Sequence, residues 1–185
     1  MKHTRILSLL LAMIMVFSLF PVSAFATETG TPAVVSQQLN LGDDLTMHFY
    51  VTAEVNTVVN ATVNGETIQH DLSKMTPDSN GQYVIAVKLA AAQMTEAITL
   101  DFLQNDVSVL QKTYSVRDYA VAILEGNYPE NTKNMVLYML GYGAAAQNYF
   151  GYKTENLANA GYEKTAVAEI PQVDSSNTVS GSVSG

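Results

Sequence analysis

The period of the hydrophobic pattern changes at Ser115, and that change constrains the fold more than any other feature of the chain. From Leu39 to Tyr114 apolar residues come in short alternating runs of period two, whereas beyond Ser115 they recur with a period near 3.6. Such a chain builds sheets with one buried face first and adds helices against them afterwards. The run Thr46 to Thr52 alternates cleanly, sending Met47, Phe49 and Val51 one way and His48 and Tyr50 the other. Thr57–Val63 and Glu66–Leu72 flank Asn64-Gly65, a dipeptide suited to the positive φ angles of a two-residue hairpin turn. A second turn, Pro77 to Gly81, precedes a strand with Tyr83, Ile85, Val87 and Leu89 on one face. Ala90–Glu96 reads as a connector, and Ile98-x-Leu100-x-Phe102 pairs with Val107–Tyr114 around Asn105-Asp106.

Ser115, with Asp118 three residues on, is a variant of the capping box. It opens a helix whose inner face holds Val116, Tyr119, Ala120, Ile123 and Leu124, and Gly126 ends it. A longer helix is expected from Asn131 or Thr132 to Gly151. Its apolar face is read as Met135, Val136, Tyr138, Met139, Tyr142, Ala146, Tyr149 and Phe150, with Lys133, Asn134, Gln147 and Asn148 opposite. Tyr138, Tyr142 and Tyr149 are then expected against the strands with their hydroxyls at the rim, a ligand platform being the lesser alternative, and Gly141 with Ala145 at the crossing of the first helix, where Ala145→Leu would overpack. The fold class is all-β to α+β: an antiparallel β-sandwich over 39–114, then a C-terminal two-helix hairpin over 115–162 on the same domain. Residues 27–38 are expected as a flexible N-terminal segment. Residues 163–185, rich in Ser, Gly, Asn and Thr, are expected as a disordered linker or tail.

The start of the chain has the layout of a secretory signal. Lys2 and Arg5 are basic, Ile6–Phe20 is apolar but shorter than the ~20 residues a membrane-crossing helix needs, and Ala24-Phe25-Ala26 offers a cleavage site. Cleavage would leave Thr27 as the mature N-terminus, in a secreted or cell-surface protein with no stable membrane insertion. Loss of Lys2 and Arg5 takes the net charge from −8 to −10, which makes nucleic acid a poor partner. With no cysteine the chain cannot lean on disulfides and must bury a core.

Tyr114-Ser115-Val116-Arg117-Asp118-Tyr119-Ala120, then Met139-Leu140-Gly141-Tyr142-Gly143-Ala144-Ala145-Ala146-Gln147-Asn148-Tyr149-Phe150-Gly151-Tyr152, then Asn156-Leu157-Ala158-Asn159 form a signature. It resembles an uncharacterised module recurring in exported, often multidomain, surface proteins of Gram-positive anaerobes, in which a strand-rich part precedes these helices. The resemblance spans residues 39–159 and is specific in the helical third. It implies a location and an architecture, and it brings no activity and no functional residues with it.

Catalytic chemistry finds few footholds. The chain has no G-x-S-x-G elbow, and beyond the leader only His48 and His70 could serve as a base. If their strands paired, the two imidazoles could share a metal, but no third ligand has the spacing. Asp43-Asp44 and Asp78-Ser79-Asn80-Gly81 offer oxygen ligands, yet a turn accounts for the second more simply. A pair of glycosidase carboxylates requires only closeness in space, but the aromatic cleft that accompanies one has no tryptophan to draw on. Ten tyrosines with no tryptophan is the compositional oddity. Outward rings can stack on sugars or partner proteins, and His48 and Tyr50 are the candidate ligand-binding residues. The expectation is a non-enzymatic extracellular module with a binding or spacer role, without metal or cofactor, whose partner is an extracellular protein or glycan. The alternatives are a small glycan-binding domain and a fragment of a secreted carbohydrate-active enzyme.

Overall fold

The computed structural model describes residues 30–42 and 44–163. The expected signal peptide at 1–26 and the tail beyond 163 lie outside the described residues. Seven strands form two antiparallel sheets. One has the order β1 (Ala33–Leu41), β2 (Leu45–Thr52), β5 (Tyr83–Leu89); the other has β4 (Glu66–Asp71), β3 (Val58–Val63), β6 (Ile98–Gln104), β7 (Val107–Tyr114). Two helices follow, α1 (Val116–Glu125) and α2 (Glu130–Phe150), so the chain is an α+β protein with a β-sandwich and a C-terminal helix pair.

The alternation read from the sequence fixes which side chains meet. Met47, Phe49 and Val51 of β2, Ile85 and Val87 of β5, Val59 of β3, and Ile98, Leu100 and Phe102 of β6 are all buried in one cluster. Across the sandwich the Phe49 and Tyr114 rings lie 5.0 Å apart, tilted by 42°. The hairpin turns are as expected: Asn64 and Gly65 adopt φ of 50° and 80°, and Asn105 and Asp106 adopt 50° and 62°.

Residues 33–38, expected to be flexible, are part of β1, which pairs with β2 along its length. The strand was hard to read because it lies at a sheet edge and is bulged. The register shifts between Val34 and Ser36, so the alternation changes phase at Val35. A matching shift lies opposite Phe102 and Leu103, where Val109 of β7 is the unpaired residue.

Helix α1 starts as read. The Ser115 side chain accepts a bond from the Asp118 N–H at 2.9 Å, and the Arg117 N–H donates to Met94 O, tying the helix to the connector after β5. Helix α2 begins at Glu130, slightly earlier than expected, and ends at Gly151 in the left-handed region.

The orientation of α2 differs from the sequence expectation. Its buried residues are Val136, Met139, Leu140, Gly143, Ala144 and Gln147, while Tyr138, Tyr142, Tyr149 and Phe150 are 49, 67, 84 and 71% exposed. Ala145 is exposed too, and a Cβ on Gly141 would meet nothing within 4 Å, so the helix crossing expected at this pair is absent. The close approach is at Gly143, where a Cβ would lie 2.6 Å from Met94 Sδ and 3.1 Å from Ala158 Cβ.

Gln147, expected in solvent, is fully buried and serves as a staple. Its Nε2 donates to Asn156 O at 2.9 Å and its Oε1 accepts from the Ala158 N–H at 2.7 Å. The segment after α2 is thereby folded back over the helix. Arg117 Nη2 adds a bond to Ala160 O, and the Tyr162 hydroxyl donates to Glu125.

Candidate functional site

His48 and Tyr50 do share the outer face of the three-stranded sheet, as their alternation requires. Neither is fully exposed, and the Tyr50 hydroxyl already donates to Gln38 Oε1 at 3.0 Å. The cross-strand neighbours of the pair are Ser36, Gln38, Val84 and Ala86, so no second ring lies beside Tyr50 to make a stacking platform.

The two histidines are not brought together. β2 pairs with β1 and β5 and β4 with β3, which puts His48 and His70 in different sheets. Among the described residues no three His, Asp or Glu side chains gather into a metal-binding group.

His70 sits opposite Val59 on the core side of edge strand β4, and its Nε2 is buried without a partner. Burial holds its pKa below the ordinary 6.5. Because the folded state favours the neutral ring, its contribution to stability is complete above that value and is lost as pH falls through the lowered one. The urea midpoint should therefore decline as pH falls below the ordinary imidazole value and on through the lowered one, and His70→Gln should reduce the decline. An unchanged decline in the variant would locate the titrating group elsewhere.

Several carboxylates are engaged structurally. One Asp78 oxygen accepts the Asn80 and Gln82 N–H groups, which is turn chemistry. Asp101 accepts from Ser108 across the ladder. Glu96 is buried and receives the Tyr152 hydroxyl and the Lys153 ammonium, each at 2.8 Å. The bond to Glu96 pushes the Lys153 pKa up; desolvation, followed by the Glu96 contact, does the same to Tyr152.

The outer face of the four-stranded sheet is polar. Thr67, Thr62, Thr99 and Thr113 line up across four strands, with Gln69, Asn60, Asp101 and Gln111 in the next row. Side-chain bonds run along both rows, as between the Thr62 and Thr67 hydroxyls at 2.8 Å.

The aromatic surface is elsewhere, on α2. At 3.6 residues per turn, Tyr138, Tyr142, Ala145 and Tyr149 form one stripe diametrically opposite Val136, Leu140 and Gln147. Phe150 extends it, its ring meeting Tyr149 edge-to-face at 4.9 Å. No charged residue occurs from Asn134 to Tyr152. Beside the stripe a groove of ≈ 580 Å³ separates α2 from one end of the three-stranded sheet. Met135, Tyr138, Met139 and Tyr142 form one wall, and Leu41, Leu45, Leu89 and Met94 form the other. Its charged group is Asp44, paired with Lys88 Nζ at 2.7 Å.

Sequence reasoning noticed these tyrosines but turned them inward. The signal that could have reversed the reading was the set of small residues Gly143 and Ala144 beside Leu140, a face shaped for close packing. No helix among the described residues is long and apolar enough to cross a membrane. Compared with known proteins, the chain matches no family model, no curated protein and no solved structure.

Proposed function

We propose that this is a non-catalytic module of a secreted or cell-surface assembly, exported by its N-terminal signal and binding its partner through the exposed face of α2. The observation that carries this reading is the aromatic stripe of Tyr138, Tyr142 and Tyr149 continued by Phe150. Soluble domains rarely leave contiguous apolar surface of that kind unless something covers it. The groove next to it extends the same surface. Asp44, its carboxylate among the described residues, is paired with Lys88, which suits recognition better than acid–base chemistry. The acidic balance of the chain disfavours nucleic acid, and the resemblance to a module of exported surface proteins agrees with export.

Binding therefore moves from His48 and Tyr50 to α2. In a glycan array and a thermal-shift screen, any ligand found should lose affinity with Tyr142→Ala and keep it with Tyr50→Ala. A ligand with the reverse dependence sinks the placement. Turnover of a polysaccharide that disappears on changing a single acidic residue sinks the non-catalytic reading.

A further inference from the structure

We infer that the partner of the α2 face is a second copy of this chain, docked α2 against α2 about a two-fold axis near Gly141 and Ala145. This rests on the binding-face reading above and names its occupant.

Three observations point to self-association. The first is shape. Gly141, with open space where a Cβ would stand, and the exposed Ala145 lie beside the projecting Tyr142 and Tyr149. A surface that carries both the knobs and the hollow is complementary to itself under two-fold rotation, and the small residues allow the helix axes to approach closely.

The second is charge. Without Lys2 and Arg5 each mature copy carries a net charge of −10, so two copies repel, and contact costs least where neither presents a charge. The stretch from Asn134 to Tyr152 is such a surface.

The third is area. At roughly 200 Å² per ring, the uncovered parts of Tyr138, Tyr142 and Tyr149 amount to about 400 Å² per copy. Burying them in both copies removes about 800 Å², the size of a weak, reversible pair.

Sedimentation of the mature chain, from Thr27 onward, over a concentration series should show a monomer–dimer equilibrium that tightens as salt is raised, since salt screens the repulsion and leaves the uncharged contact intact. Ala145→Glu puts a carboxylate at the axis of both copies and should weaken the dimer more than about tenfold. Gln69→Glu, an equal charge change on the outer face of the four-stranded sheet, should leave it intact. As a measurement independent of affinity, Ala145→Cys in this cysteine-free chain should give disulfide-linked dimers under mild oxidation, and Gln69→Cys should not.

A chain that stays monomeric at about 1 mM, where even weak specific pairs form, overturns the proposal. So does a dimer that Ala145→Glu leaves unchanged. If the chain is monomeric and a ligand from the screens depends on Tyr142, the pairing of copies falls while the binding face stands. If the ligand depends on Tyr50 instead, the face itself falls.

Discussion

Replacing Gln147 by alanine should lower the stability of the fold by roughly 2–4 kcal/mol, the larger part from a buried donor left without its acceptor. Gln147 is fully buried, and so is Ala158, whose N–H it accepts at 2.7 Å; water has no route to replace that bond. The truncation also empties the side chain's volume and releases Asn156 O, although Asn156 is exposed and its carbonyl can be hydrated. Gln147→Leu separates the two effects because it restores volume without restoring the acceptor. Urea unfolding at constant slope should place Gln147→Leu between the wild type and Gln147→Ala, and exchange of the Ala158 amide should accelerate in both. If Gln147→Leu matches the wild type, the staple contributes nothing and packing alone holds the segment.

Gly143→Ala is expected to cost about 1–3 kcal/mol, while Gly141→Ala two residues earlier should stabilise by about 0.5–1 kcal/mol. The same methyl group is added to the same helix, and only the side it faces differs. At 143 it would meet Met94 Sδ at 2.6 Å, Ala158 Cβ at 3.1 Å and Ala91 O at 3.3 Å. Met94 is itself buried, and a backbone carbonyl cannot swing aside, so the connector must shift. At 141 it meets nothing, and the unfolded chain loses the extra freedom of glycine. Thermal melts of the two variants decide the rotation of α2: a reversed order of stabilities would return the helix to the orientation the periodicity first suggested.

Strands β2, β5 and β6 were legible because each buries one face, which makes period two a physical necessity. Tyr83, Ile85, Val87 and Leu89 could not all be core residues in any other conformation, and Asn64-Gly65 names its own turn. β1 was not legible for the converse reason. An edge strand that changes phase at Val35 has no single inner face to announce it. Helix α2 defeated the pattern differently, because it is apolar on two opposite sides. Val136, Leu140 and Ala144 serve the core, and Tyr138, Tyr142 and Tyr149 face outward, so amphipathicity cannot choose between them. Gln147 misled most of all, since a polar residue marks solvent only until something folds back to bond it. Its partners lie nine and eleven residues further on, at a distance no helical wheel includes. The same ambiguity points the tyrosines at the core on the sequence pattern alone, and the candidate site turns with the helix.

The two bulges decide how this protein can and cannot grow. An open sandwich offers its rims to any extended chain, and a flat rim is a template for indefinite strand addition. Here Val35 and Val109 interrupt the outermost strand on one side of each sheet, and Lys88 stands on the other rim of the three-stranded sheet. The remaining rim, β4, is only six residues long. Fibre-like stacking through the sheets is thereby discouraged on every side, and the uncharged stretch of α2 from Asn134 onward is the surface left for contact. Association through a helix face closes on itself after two copies, so the same irregularities that obscured β1 in the sequence favour a finite assembly over an endless one.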